Sequence, residues 1–143
     1  MQKIVLRGKP VVEGVAEGEA LVTKASVTFF GTMDYATGTI VAPSDHELKG
    51  QSVAGKILVF KAEVGATAEP LGYYLLKKAG RMPKALVCAT PGQMPVVCSI
   101  IGNTPFVYNL DRSPIDIIKT GDQVKVDGNR GVVEIQVQVE LAT

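Results

Sequence analysis

Tryptophan is absent from this 143-residue chain, histidine occurs once and cysteine twice. Each scarcity excludes a kind of chemistry. A single histidine, His46, cannot build a multi-histidine metal site. Two thiols are fewer ligands than an iron–sulfur cluster usually takes. Cys88 and Cys98 both end apolar runs (ALVC and PVVC) and read as buried small hydrophobes rather than as a disulfide or metal ligands. Charge is also nearly absent in net terms: 15 Lys and Arg against 14 Asp and Glu leave +1. With no basic cluster interleaved with aromatics, bulk electrostatics argues against a nucleic acid or a membrane surface as partner. No stretch approaches the about 18 apolar residues of a membrane helix. The first eight residues lack the apolar run and cleavage pattern of a secretory signal, so the expected location is the cytoplasm. Walker, GxSxG and zinc-binding patterns are missing too.

What remains is the composition of a globular chain, 46% hydrophobic and 20% charged, with 15 Gly and 8 Pro to make many turns. The length suits one domain over residues 1–143 around one hydrophobic core. Residues 3–7 read as a short strand leading into a Gly8–Gly18 connection. The Val- and Thr-rich run from Glu19 to Thr28 reads as a second strand. A loop over Thr32–Gly38 precedes a short extended piece at 39–41. Residues 56–60 (KILVF) form a continuous apolar run, the mark of a buried central strand. A helix follows, with Thr67 as N-cap, Leu71, Tyr74, Leu75 and Lys78 at helical spacing, and Gly80 as its stop. Ala85–Ala89 reads as another buried strand, 93–101 as a short helix, and Phe106–Tyr108 as a third short strand. Ser113-Pro114 opens one helical turn. Alternation over 123–126 and 132–139 around Asp127–Gly131 predicts a closing β-hairpin. Together these predict an α/β chain of β/β/α layers.

Three places could carry chemistry. The loop between Phe60 and the following helix offers free backbone N–H groups and the positive end of a helix dipole, with Gly65 allowing close approach, which suits a carboxylate or phosphate. Glu63 and Glu69 bring negative charge to the same corner, so the alternative is a helix simply capped by Thr67 and balanced by acids. His46, flanked by Asp45 and Glu47, is either a surface histidine in a turn or a general acid/base. The Phe29–Gly38 loop sets aromatics beside Gly and Asp, as in a contact surface or at the edge of a core.

Three segments also carry a family resemblance. Gly14–Val22 (GVAEGEALV) resembles the G-x-A-x-G-x-A-L-V opening of the aconitase X small-subunit family. Phe29–Asp34 followed by Thr37-Gly38 resembles its S-F-W-G-G-V-D loop and T-G. His46–Val59 (HELKGQSVAGKILV) is similar to its H-x-L-x-G-x-S-V-x-G-K-I-L signature. The resemblance implies a swivelling β/β/α domain that closes the cleft of a large subunit carrying an iron or iron–sulfur centre, with no cofactor and no metal ligand in this chain. The implied reaction is dehydration of a small hydroxy acid, of the mevalonate 5-phosphate or cis-3-hydroxy-L-proline class. It further implies Thr67 as the catalytic hydroxyl and Gly65, Ala66 and His46 as substrate-binding residues.

One segment departs from the pattern. Where the family has G-R-G-S and a second Ser four residues beyond the first, this chain has Glu63, Val64, Gly65, Ala66 and, at the later position, Pro70. An alcohol such as Thr67 serves as a base only when a neighbouring group activates it. Either other residues serve a different substrate, or the chain is a non-catalytic binding or regulatory module. A third reading comes from Thr120–Gly131, which resembles the closing hairpin of phosphohistidine swivel domains, but His46 lacks the Gly-rich context of a phosphoryl carrier.

Overall fold

The computed structural model describes residues 2–62, 68–90 and 92–137. Its strands are β1 (Gln2–Arg7), β2 (Lys9–Val12), β3 (Val15–Val22), β4 (Met33–Asp34), β5 (Thr39–Ile40), β6 (Ile57–Phe60), β7 (Ala85–Cys88), β8 (Phe106–Tyr108), β9 (Gln123–Asp127) and β10 (Val132–Val137). Its helices are α1 (Glu69–Lys78), α2 (Gln93–Gly102) and α3 (Pro114–Ile117).

Period-2 alternation in the central strands sets up the layers. In β6, Ile57 and Val59 face one way while Leu58 and Phe60 face the other; in β7, Ala85 and Val87 oppose Leu86 and Cys88. All eight side chains are buried, so both faces must be covered. Strands β3, β6, β7 and β8 run parallel in that order. Two successive right-handed crossovers in one direction place α1 and α2 on the same face, where they pack together. Leu58, Phe60, Leu86 and Phe106 meet Tyr73 and Leu76 of α1 and Cys98 of α2 there. The opposite face is covered by the antiparallel set β1, β10 and β9, through Leu6, Val124, Val126, Val133 and Ile135. The expected β/β/α layering is therefore present.

Strand β3 belongs to both sheets: its first half pairs antiparallel with β9 and its second half parallel with β6. Strands β1 and β2 lie at opposite ends of the strand order β1-β10-β9-β3-β6-β7-β8-β2, with only Gly8 between them in the chain. The chain thus crosses from one layer to the other at Gly8. A Cβ there would come 2.5 Å from the Tyr108 carbonyl oxygen, which explains glycine at the crossing.

Several sequence expectations need correction. The Gly8–Gly18 connection contains β2 and half of β3. The strand expected over Glu19–Thr28 is shifted, ending at Val22, because Thr23 and Lys24 turn to meet the Glu47 carboxylate. Helix α1 starts at Glu69 with Ala68 as N-cap, and Thr67 lies outside the described residues. Its buried face is Glu69, Gly72, Tyr73 and Leu76, while Leu71 and Tyr74 are about half exposed. Helix α2 forms despite Pro95 because the proline sits in the first turn, where N–H groups have no intrahelical partner. Cys88 and Cys98 are both buried. Among the described residues no helix is long and apolar enough to cross a membrane.

Candidate functional site

The carboxyl ends of β3, β6 and β7 meet at one edge, the place where parallel α/β sheets bind ligands. Backbone bonds continue past the strands and lash the emerging loops together. The Thr23 N–H donates to the Val59 carbonyl (2.9 Å), Lys61 N–H to Ala25 (3.2 Å), Val27 N–H to Ala62 (3.0 Å) and Thr90 N–H to Lys61 (2.7 Å). The Cys88 thiol points into the same junction, donating to the Thr90 carbonyl at 3.1 Å.

Beside this edge, the loop after β3 and residues 40–47 enclose a cleft of about 640 Å³ lined by Lys24, Ser26, Thr28, Pro43, Asp45 and His46, among others. A smaller hollow of about 310 Å³ lies between Lys24, Glu47 and the α3 region, including Lys119 and Thr120. Lys24 and Glu47 border both. The Glu47 carboxyl is held below the usual carboxylate range, chiefly by the Thr23 hydroxyl that donates to it. Burial opposes that effect, and the backbone N–H groups of Lys24 and Ala25 and the adjacent His46 support it.

His46 lines the cleft with both ring nitrogens already engaged. Its Nδ1 accepts the Leu48 N–H at 3.0 Å, so Nε2 carries the proton and donates to the Ser26 carbonyl at 3.0 Å. The ring therefore pins two walls of the cleft together. Neither nitrogen is left to take a phosphoryl group, which removes the geometric basis of the phosphohistidine reading.

The other sequence-derived candidates, Gly65, Ala66 and Thr67, lie outside the described residues, as does Glu63. Their flanks are placed. Ala62 is bonded to Val27 in the cleft wall, and α1 begins just beyond, at Glu69. Glu69 is more than the dipole-balancing acid its position suggested. It is 4% exposed and accepts the N–H groups of Phe29 (2.5 Å) and Phe30 (3.3 Å). Sequence reasoning also missed Lys24, Ser26 and Glu47 as cleft residues. The signal for Glu47 was its place beside His46, inside the signature run. For Lys24 and Ser26 there was only their position after a strand.

No three His, Cys, Asp or Glu side chains are grouped as a metal site would need, among the described residues. This donor set does not fit an iron centre.

Comparison with known proteins places these features in context. The family profile for the aconitase X swivel domain matches residues 5–135. The phosphomevalonate dehydratase small subunit of Methanosarcina acetivorans is 38% identical over 135 residues, covering 94% of this chain and 93% of that one. The protein of the same name from Pyrococcus furiosus is 38% identical over 136 residues, covering 95% and 98%. The crystal structure of Thermococcus kodakaraensis aconitase X in its holo-form superposes with a TM-score of 0.84 at 35% identity, covering 94% of this chain and 99% of that one.

Proposed function

The chain belongs to the aconitase X swivel domain family, and on that premise we propose that it is the small subunit of a two-chain hydro-lyase that dehydrates phosphomevalonate. The observation that carries this reading is the match along nearly the whole chain to small subunits named for that reaction. Those names favour the phosphorylated hydroxy acid over a hydroxyproline. The partner is a large subunit, against which residues 1–143 act as one swivelling lid in the cytoplasm.

Dehydration removes a proton from carbon and expels the neighbouring hydroxyl as water, which calls for a base and a Lewis acid. The Lewis acid, an iron or iron–sulfur centre, belongs to the large subunit in this reading. The small subunit contributes the edge at the ends of β3, β6 and β7. Ala62 stands at this edge, and the ten-residue helix α1 begins at Glu69 with an N-terminal end whose partial positive charge favours an anionic group. In this reading Gly65 and Ala66 bind substrate and Thr67 supplies the hydroxyl. His46 holds the adjoining cleft wall in place.

Co-expression with the large subunit, followed by assay on phosphomevalonate, tests the assignment. The complex turns over, and Thr67→Ala lowers kcat by about 100-fold or more while the complex stays assembled. Unchanged turnover in that variant would remove Thr67 from the mechanism. It would favour the non-catalytic reading, which rests on Val64 and Ala66 standing where the family has Arg and Ser.

A further inference from the structure

Glu69 is a buried acid that the proposed reaction does not use. We infer that it is a positioning residue: its carboxylate clamps the Phe29–Gly31 loop onto the first turn of α1, so that both flanks of the candidate site form one rigid edge. The inference rests on the function proposed above for its catalytic consequence, and on geometry alone for the clamp.

A buried carboxylate is costly unless its lone pairs are satisfied. Here two successive backbone N–H groups, from 40 and 39 residues away in the chain, point at it. The N-terminal end of α1, where Glu69 is the first helical residue, adds favourable partial charge. The loop lies directly on the helix at Gly72. A Cβ there would stand 2.3 Å from the Phe29 carbonyl oxygen and 2.7 Å from the Phe30 nitrogen, so only glycine admits the contact. Tyr35 holds the loop from its other side: its hydroxyl donates to the Phe29 carbonyl at 2.7 Å and accepts the Gly31 N–H at 3.0 Å. Four backbone groups on three consecutive residues are thus fixed by two side chains. Yet the Phe30 side chain so held is 45% exposed, so the clamp does not serve to bury it. The loop continues from Thr28 in the cleft wall, and Glu69 follows Thr67 by two residues.

The test uses the assembled complex. A carboxylate offers one oxygen to each amide, whereas in Glu69→Gln one oxygen becomes an NH₂ that confronts a donor with a donor. At a temperature where circular dichroism shows the variant folded and gel filtration shows the complex intact, kcat per complex falls about tenfold or more, since small misplacements are expensive in catalysis. KM stays within about threefold, because no group that contacts substrate has changed. Hydrogen exchange in peptides covering 28–32 and 68–72 accelerates in both. Tyr35→Phe removes the opposite side of the clamp without touching the carboxylate, and shifts kcat and 28–32 exchange in the same direction by a smaller factor. A lower melting temperature with unchanged kcat per folded complex would reduce Glu69 to a structural residue and overturn the inference. Should the wild-type complex fail on phosphomevalonate, the functional reading falls and exchange decides the clamp: loosening of both segments supports it, and loosening of one or neither overturns it.

Discussion

At position 46 a lone histidine between two acids left both a surface turn and a general acid/base open, and its ring nitrogens are hydrogen-bonded to Ser26 and Leu48. That could not be read from the sequence, because the partners of both nitrogens are backbone groups, one of them 20 residues away. Glu47 was equally silent for the same reason: the hydroxyl that depresses its pKa comes from Thr23. The sign of its effect on stability follows. Its folded pKa lies below the unfolded one, so its contribution is present above the ordinary glutamate range, about pH 4.3, and is lost as pH falls through the depressed value. Glu47 is exposed, so solvent screening limits the contribution to less than about 1 kcal/mol. Melting temperatures of wild type and Glu47→Gln should differ at neutral pH and converge in acid. A gap that persists unchanged at pH 3 would contradict the assignment.

Strands were more legible than helix faces. The runs at 56–60 and 85–89 carry eight consecutive-face apolar residues whose burial on both sides leaves no alternative to central strands, and the closing hairpin announces itself by alternation around Asp127–Gly131. Helix α1 was legible as an element, but its buried face was not. Its apolar Leu71 and Tyr74 face outward, and its inner face includes a glycine and a carboxylate, because a loop rather than a side chain packs there. That facing makes opposite forecasts for neighbouring positions. Gly72→Ala, which in an isolated helix would gain about 1 kcal/mol, should destabilise by about 2–3 kcal/mol through collision with Phe29 and Phe30. Leu71→Ala should change stability by about 0.5 kcal/mol or less. Urea denaturation of the two variants checks the pair, and similar values for both would mean the face is misassigned.

At the scale of the molecule, the two-layer crossing at Gly8 and the shared strand β3 bring first and last segments of the chain together behind the parallel strands. The carboxyl edge of those strands is left to carry the candidate site. The β/β/α layering was legible from the order of elements, whereas β2 and the double pairing of β3 were hidden by Gly14 and Gly18, which read as connection. The candidate site was legible only as a segment, 61–69. Its supports at Ala25, Val27, Phe29 and Phe30 come from a distant loop. As the proposed lid of a two-chain enzyme, the chain is expected to have no reaction of its own. The most direct measurement mixes the separately purified small and large subunits and follows water elimination from phosphomevalonate. Activity should appear only on mixing and saturate near stoichiometric ratio. A large subunit equally active without this chain, or a mixture that neither associates nor reacts, would contradict the account.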